Sequence, residues 1–301
     1  MSTETVVPHA LPALATEVME SLYQHRVLST LQVHELHTPN AHKSFSRRVL
    51  GTLRDAGVAD YAPGAGRLKL WFLTKRGNDA VETLGTRAEH RRKQVSAEQA
   101  AGPLRMHTLA VNDVGIAFVN AARARGDECG PLGWRHEIAH PTTSKRNRRS
   151  GDIVIADALL TYTQQHPDRT LGVHQRFIEL DRATIPLQAL CEKFDRYARL
   201  KDYTPEEPGK DTRSSGWRAY YPTFPGVLVI FAHRDRKSLQ RRMQNTIALH
   251  QANSHTRDLV LLLGLLDDLS EHGPFAPIFI NPQNPERYLD WLGKPQPETK
   301  Q

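Results

Sequence analysis

Cysteine is scarce in this sequence. The two cysteines, Cys129 and Cys191, lie far apart and belong to no CxxC or mixed cysteine–histidine pattern. That argues against a disulfide framework and against a structural zinc site, and it is typical of proteins of the reducing cytosol. We therefore expect a cytoplasmic protein.

Long apolar runs are also absent. The longest, from Leu259 to Leu266, is too short to span a bilayer. The first residues contain no basic segment followed by an apolar one, so we expect neither a secretory signal nor a membrane partner. Hydrophobic residues nevertheless make up 39% of the chain, which is enough for a full core and excludes a disordered protein.

Acidic residues are outnumbered. Forty lysines and arginines against 33 aspartates and glutamates give a formal net charge of +7. Such an excess permits a polyanionic partner, but the positions of the charges decide whether one is expected. The 301 residues correspond to about two domains.

Hydrophobic periodicity in residues 1–85 predicts three helices, a hairpin and a fourth helix. The helices are expected at 13–26, after a Ser29 or Thr30 cap, at 41–56 and at 75–84, and the strands at 58–61 and 68–73. The run SRRVLGTLRDAGVADY…WFLTKRGNDAV closely resembles winged-helix regulators, in which the third helix enters the major groove of DNA.

Basic side chains are concentrated on the third helix and the hairpin. We expect Arg47 and Arg48 to reach base edges or phosphates of double-stranded DNA. Lys43, Arg67 and Lys69 are expected to contact phosphates. Arg54, on the same helix, is a further candidate. The alternative is a protein-docking module with a solvated basic face.

Residues 86–103 are polar and rich in charge, which predicts a basic linker or a helical extension. Residues 104–280 predict an α/β domain with a mixed sheet, so the whole chain is expected to be α+β. Its helices are expected at 104–125, 185–201 and 235–252, and its strands at 134–139, 153–156, 171–180, 226–232 and 259–263. Residues 281–301 predict a C-terminal tail with a short helix at 286–292.

Four carboxylates fall at predicted strand positions of this domain: Glu137, Asp152, Glu179 and Asp181. Glu179 and Asp181 are two residues apart and should share one face of an apolar strand. Because a buried, unpaired carboxylate is costly, a cation should lie beside them.

That cation could be Mg²⁺, which carboxylates hold and which could stabilise charge on a scissile phosphate, helped by Lys193. The alternative is Arg182, Lys193 or Arg196 in an ion network within a non-catalytic core. A tyrosine nucleophile at Tyr197 or Tyr203 is less favoured, because tyrosines at helical spacing usually pack.

A basic run immediately precedes Asp152. It contains Lys145, Arg146, Arg148 and Arg149. Beside an acidic site, such a loop is expected to bind the DNA backbone. The alternative is a surface loop without a partner.

Several motifs follow one another in a characteristic order. They are LRMHTLAVNDVGIAF, a Trp–Glu strand, a basic loop with GDIV, FIELDRAT…KFDRYARL and SGW…YPTFPGVLVIF. Together with the upstream winged helix, this order over residues 15–265 resembles the actinobacterial replication-relaxation family. Its members are often carried on plasmids and mobile elements, and they resemble a winged helix fused to a core similar to the PD-(D/E)xK, or restriction-endonuclease-like, fold.

The resemblance implies that Asp152 and Glu179 bind Mg²⁺ and that Glu137 is an upstream acid of the same site. Asp181 stands where the nuclease motif has lysine, and Lys193 is a candidate for a relocated lysine. The implied function is DNA binding in plasmid or mobile-element replication or transfer, with nicking or cleavage by the second domain. The alternative is a non-catalytic transcriptional or replication regulator whose second domain dimerises or docks a partner. Candidate protein partners are a second copy, in a homodimer, and plasmid replication or transfer proteins.

Overall fold

The computed structural model describes residues 12–83, 98, 100, 102, 105–143, 150–204 and 216–295. The four basic residues at 145–149 and most of the predicted linker lie outside these ranges. Two compact units are present. Unit 1 comprises Met1–Ile116 and Gly130–Leu132, and unit 2 comprises Ala117–Cys129 and Gly133–Gln301.

Unit 1 contains the predicted helices and hairpin in the predicted order, and a short strand, β1, that was not predicted. The elements are α1 (Ala13–His25), β1 (Leu28–Ser29), α2 (Thr30–His37), α3 (Lys43–Asp55), β2 (Ala59–Pro63), β3 (Lys69–Leu73) and α4 (Lys75–Thr83). The strands pair in the order β1-β3-β2. A longer helix, α5 (Arg105–Arg125), begins in unit 1 and ends in unit 2.

Local sequence explains where these elements begin and which faces they bury. Ser29 caps α2 and forms a capping box with Gln32, which pairs backbone groups that the helix start would leave unpaired. In α3, Ser46, Leu50 and Leu53 are buried at helical spacing, so the charged residues occupy the other face. Gly57, at φ 70°, follows α3 in a conformation that glycine adopts without strain.

Unit 2 is built on a seven-stranded mixed sheet. Its elements are β4 (Trp134–Pro141), β5 (Ile153–Gln165), β6 (Leu171–Asp181), α6 (Leu187–Asp202), β7 (Gly226–Phe231), α7 (Arg236–Ala252), β8 (Leu261–Leu265), α8 (Leu266–His272), β9 (Phe279–Asn281) and β10 (Asn284–Leu289). The strand order is β10-β9-β8-β7-β6-β5-β4. Among the strands of the described ranges, the β6–β7 and β7–β8 pairs are parallel and the others are antiparallel.

Unit 2 differs from the sequence prediction in several elements, and two of them, α8 and β9, were not predicted at all. β5 extends to Gln165 instead of ending at residue 156, because it forms a long antiparallel hairpin with β6. The helix expected at 286–292 is wrong, since β10 pairs with β9 there. Trp291, just after β10, is fully buried and packs edge-on against Phe118, so burial of this ring holds the segment against the sheet.

The main core of unit 2 lies on one face of the sheet. Val229 and Phe231 of β7 and Leu263 of β8 pack there with Phe194 and Tyr197 of α6. The side chains that α6 and α7 bring to this face are therefore held in fixed positions beside the carboxyl ends of β6 and β7. Across the described ranges, no helix has both the length and the apolar character needed to cross a membrane.

Candidate nucleic-acid interface and buried acidic cluster

An open cleft of about 740 Å³ separates α3 from the β2–β3 hairpin in unit 1. Its basic lining residues come from both sides: Lys43, Arg47 and Arg54 from α3, and Arg67 and Lys69 from the hairpin. Five of the six unit 1 residues predicted to bind DNA thus line one concave surface. The sixth, Arg48, is exposed on α3.

The basic residues of this cleft are mostly uncommitted. In the described part of the chain, the guanidinium groups of Arg47, Arg48 and Arg67 have no hydrogen-bond or ion-pair partner. Arg54 lies 3.6 Å from Asp60, but both side chains are about half exposed, so this ion pair adds little stability. The guanidinium groups are therefore available to an outside anion.

Aromatic rings form the floor of the cleft. Lys69 Nζ lies 4.1 Å from the centre of the Tyr61 ring, and Arg54 Cζ lies 5.0 Å from it. Tyr61 in turn packs on Trp71, whose indole N–H donates to Thr30. Attraction between a cation and the ring face keeps both charged groups at the cleft. Sequence reasoning missed Tyr61, although its position beside two basic residues across a hairpin was available as a signal.

A buried polar cluster connects α2 to α3. His34 Nδ1 lies 3.0 Å from Ser46 Oγ, and Thr38 Oγ1 lies 2.7 Å from the same oxygen. Buried polar groups need hydrogen-bond partners, and these three side chains provide them for one another. The cluster therefore fixes the orientation of α3 on α2.

In unit 2, Asp157 of β5 and Glu179 of β6 lie side by side on adjoining antiparallel strands. The strand pairing ends with Ala158 opposite Ile178, and Asp157 and Glu179 are the next residues along. Both carboxylates contact Lys193 of α6: its Nζ donates to Asp157 Oδ1 at 3.3 Å and to Glu179 Oε2. Two acids thus share one ammonium group.

The remaining oxygens of this cluster are also occupied. The Leu180 backbone N–H donates to Asp157 Oδ2 at 2.8 Å, and the Tyr197 hydroxyl donates to Glu179 Oε1. Every carboxylate oxygen of the pair therefore accepts a hydrogen bond from the protein, which compensates the cost of burial.

Burial first, and the Asp157 charge second, raise the pKa of Glu179 to about 8. Although burial opposes it, the Glu179 and Asp157 carboxylates raise the pKa of Lys193. Burial, followed by Glu179, also raises the pKa of Tyr197 well above its ordinary value.

Asp181 does not join this cluster. Arg242 of α7 donates to both of its carboxylate oxygens, through Nε to Oδ2 and through Nη2 to Oδ1 at 3.2 Å. The prediction of Lys193 as a partner of the two acids is confirmed for Glu179, but the partner of Asp181 is a residue that sequence reasoning missed. Arg242 lies 61 positions after Asp181 in the chain, and the packing of α7 brings it to the end of β6.

A comparison with protein families matches residues 19–212 to the model described as replication-relaxation. The chain belongs to the replication-relaxation family. No curated protein and no solved structure matches it. The match extends from α1 to beyond α6, so it includes both the basic cleft and the acidic cluster.

The acids that the nuclease resemblance implies for this replication-relaxation protein lie in different places. Asp152 ends a short 3-10 turn before β5, and Ile153, the next residue, is four strand positions from Asp157, or roughly 13 Å. The structure therefore brings Asp157, not Asp152, beside Glu179. The sequence does contain a signal for Asp157. It is the carboxylate at the end of the apolar run IVIAD, just as Asp181 ends the run FIELD.

Glu137 lies at the level of Asp157 on the opposite side of β5. His136 pairs with Ala158 and Ile138 with Ala156, so Glu137 is between them. Its φ of 52° interrupts β4 at this point, and its side chain is exposed. Throughout the described ranges, no three side chains of the metal-ligating types converge on one point.

Proposed function

We propose that this chain is a double-stranded DNA-binding protein of plasmid or mobile-element replication or transfer, and that unit 1 is a winged helix that holds the duplex through α3. The observation that carries the proposal is the cleft between α3 and the hairpin, which both sides line with lysine and arginine. Family membership supports the replication theme.

The dimensions of α3 suit a DNA groove. Its 13 residues correspond to a rod about 20 Å long. The major groove of B-DNA, about 12 Å wide, admits one such helix. In this proposal Arg47 and Arg48 reach base edges, and Lys43 contacts a phosphate. The hairpin then lies along the backbone, where Arg67 and Lys69 contact phosphates and fix the register without reading sequence.

Docking of another protein by the same face is the competing function. The charge distribution favours DNA, because the cations line a concave surface from two sides and Asp55 is the one acidic residue in the described lining. A row of phosphates complements such a surface at many positions, whereas a protein would need an unusually acidic segment.

Fluorescence anisotropy with labelled duplexes tests this proposal. Arg47→Ala with Arg48→Ala should weaken binding at least tenfold, since each lost base or phosphate contact costs about 1–3 kcal/mol. Arg257→Ala with Arg287→Ala removes the same charge from exposed positions of unit 2 and should leave affinity nearly unchanged. Equal affinities for the two double variants would mean that α3 does not contact DNA.

DNA nicking by unit 2 is a second candidate, favoured by one observation. Two carboxylates and an ammonium group, the residue types that the nuclease motif uses, meet at Asp157, Glu179 and Lys193. As arranged, however, the pair does not fit Mg²⁺, because every carboxylate oxygen already accepts a hydrogen bond from the protein.

Supercoiled plasmid incubated with Mg²⁺ distinguishes the two candidates. If unit 2 nicks DNA, Asp157→Asn and Glu179→Gln should abolish nicking, while Arg47→Ala with Arg48→Ala should only reduce it. Equal nicking by the wild type and the acid variants would identify a contaminating nuclease and remove the catalytic candidate. Asp152→Ala is included as a third acid variant. The family resemblance implies Asp152 as the first acid of the site, whereas the strand pairing places Asp157 beside Glu179.

A further inference from the structure

Two histidine rings meet over Gly172 in the β5–β6 hairpin of unit 2. A Cβ atom built on Gly172 would lie 2.9 Å from His166 Nε2 and 3.1 Å from His174 Nε2. The two nitrogens are therefore at most about 6 Å apart, the sum of those distances. The space between them is open because residue 172 has no side chain.

His174 Nε2 is an orphaned atom. It is buried from solvent and has no hydrogen-bond partner in the described part of the chain. Burying a polar nitrogen without a partner costs free energy, so its lone pair or proton calls for a ligand. The ring of His166 likewise makes no hydrogen bond with any described residue. Two nearby imidazoles with unused nitrogens are the simplest metal-binding arrangement that side chains form.

The backbone around the pair is held in place before any ligand binds. His166 closes the hairpin turn, since its N–H donates to the Thr170 carbonyl at 3.0 Å and its own carbonyl accepts from the Arg169 N–H at 2.9 Å. His174 lies within β6 opposite Tyr162 of β5. A ligand between the rings would therefore clamp the turn to the strand at little cost in chain entropy.

We propose that His166 and His174 bind one divalent transition-metal ion, of the class of Zn²⁺ or Ni²⁺, through their Nε2 atoms. Imidazole nitrogen is a preferred ligand for these ions, with metal–nitrogen distances of about 2.0–2.1 Å for zinc. Small rotations of the two rings bring both nitrogens to such an ion in the space over Gly172. Water completes the coordination. This site is separate from the DNA cleft and from the acidic cluster, so it does not rest on the proposed function.

An anion is the competing occupant of the same space. Arg176 and Lys294 carry positive charge near His174, and a protonated imidazole pair would add to it. Inorganic phosphate is therefore included in the experiment as a separate probe, and preference for phosphate would count against the metal.

Calorimetric titration of the untagged full chain with ZnCl₂ and with NiCl₂ tests the site. The wild type should bind one ion per chain and show a raised Tm at saturation. His174→Ala and His166→Ala should each weaken this binding at least tenfold. Gly172→Ala should do the same while keeping both imidazoles, because the new methyl group would press against both Nε2 atoms.

His255→Ala is the matched control, since it removes an exposed imidazole elsewhere in unit 2 and should leave the proposed site unchanged. Should His174→Ala fail to fold, His166→Ala on the turn and Gly172→Ala still decide the matter. The proposal is overturned if neither ion raises Tm, if Gly172→Ala binds as tightly as the wild type, or if only phosphate stabilises the chain.

Discussion

Asp157 and Glu179 occupy neighbouring positions on two antiparallel strands and share the ammonium group of Lys193. Glu179 is almost fully buried, and its second oxygen accepts from Tyr197. The strand pair thus brings two acids together, and a helix that follows in the chain supplies their cation. The stability of unit 2 should therefore depend on this cluster.

Removing the cation should be costly. Lys193→Met leaves the buried Asp157 carboxylate without its counter-charge and Glu179 without its hydrogen-bond donor, and breaking a buried ion pair in this way costs about 3–5 kcal/mol. Urea unfolding should show the loss as a lower midpoint. Lys237→Met, at an exposed position of α7, should change the free energy of unfolding by less than about 0.5 kcal/mol. A similar midpoint for both variants would show that the cluster does not contribute to stability.

The charge state of Glu179 should appear in the pH dependence of stability. Its pKa rises from 4.5 to about 8 on folding, chiefly through burial, so the folded chain keeps a proton that the unfolded chain releases. The free energy of unfolding should therefore decrease as the pH rises from about 4.5 to 8, by about a few kcal/mol at most. Glu179→Gln cannot ionise and should lack this decrease.

Urea unfolding of both proteins at pH 5, 6, 7 and 8 checks the expectation. At each step to higher pH, the free energy of unfolding of Glu179→Gln should rise relative to that of the wild type. Glu286→Gln, on the exposed edge strand, should follow the wild type. A wild-type advantage that grows with pH would mean that Glu179 is ionised in the folded chain.

Hairpin residues should contribute to DNA affinity through charge alone. Each phosphate contact adds about 0.9 to the slope of log K against log salt on duplex DNA, so Arg67→Ala with Lys69→Ala should flatten that slope by about 2. The loss should be similar for every duplex, because phosphate contacts carry no sequence information. An unchanged slope would show that the hairpin does not touch the backbone.

Gly77 should tolerate no side chain. A Cβ atom there would lie 2.0 Å from the Val58 carbonyl oxygen, so Gly77→Ala must push α4 away from the start of the hairpin. We expect a loss of about 1–3 kcal/mol or more by thermal unfolding. Gly51→Ala, within α3 and with nothing within 4 Å of its added atom, should be neutral or stabilising by about 0.5–1 kcal/mol. Equal stabilities would contradict the close approach.

The elements of unit 1 followed from local patterns. A capping residue at Ser29, the helical spacing of Leu50 and Leu53 and a glycine-containing turn at Gly66 each act within a few residues, so the order of helices and strands could be predicted. The basic residues of α3 and of the hairpin could be grouped for the same reason, although the cleft between them became visible only in the structure.

The acidic cluster depended on long-range pairing. Sequence alone places Glu179 in a buried strand with Asp181 two residues on, but which acid of the neighbouring strand lies beside it depends on strand register. Register is decided by the whole hydrophobic pattern and by the turn. That is why the family motif pointed to Asp152 while the strand pairing places Asp157 next to Glu179.

The sequence by itself determined where α3 and the hairpin form and that their exposed faces are basic, because periodicity, caps and turns are local. Only the tertiary structure decided which charges meet. Lys193 joins Asp157 and Glu179, and Arg242 reaches Asp181, because helices pack back onto the sheet over distances that no local pattern encodes.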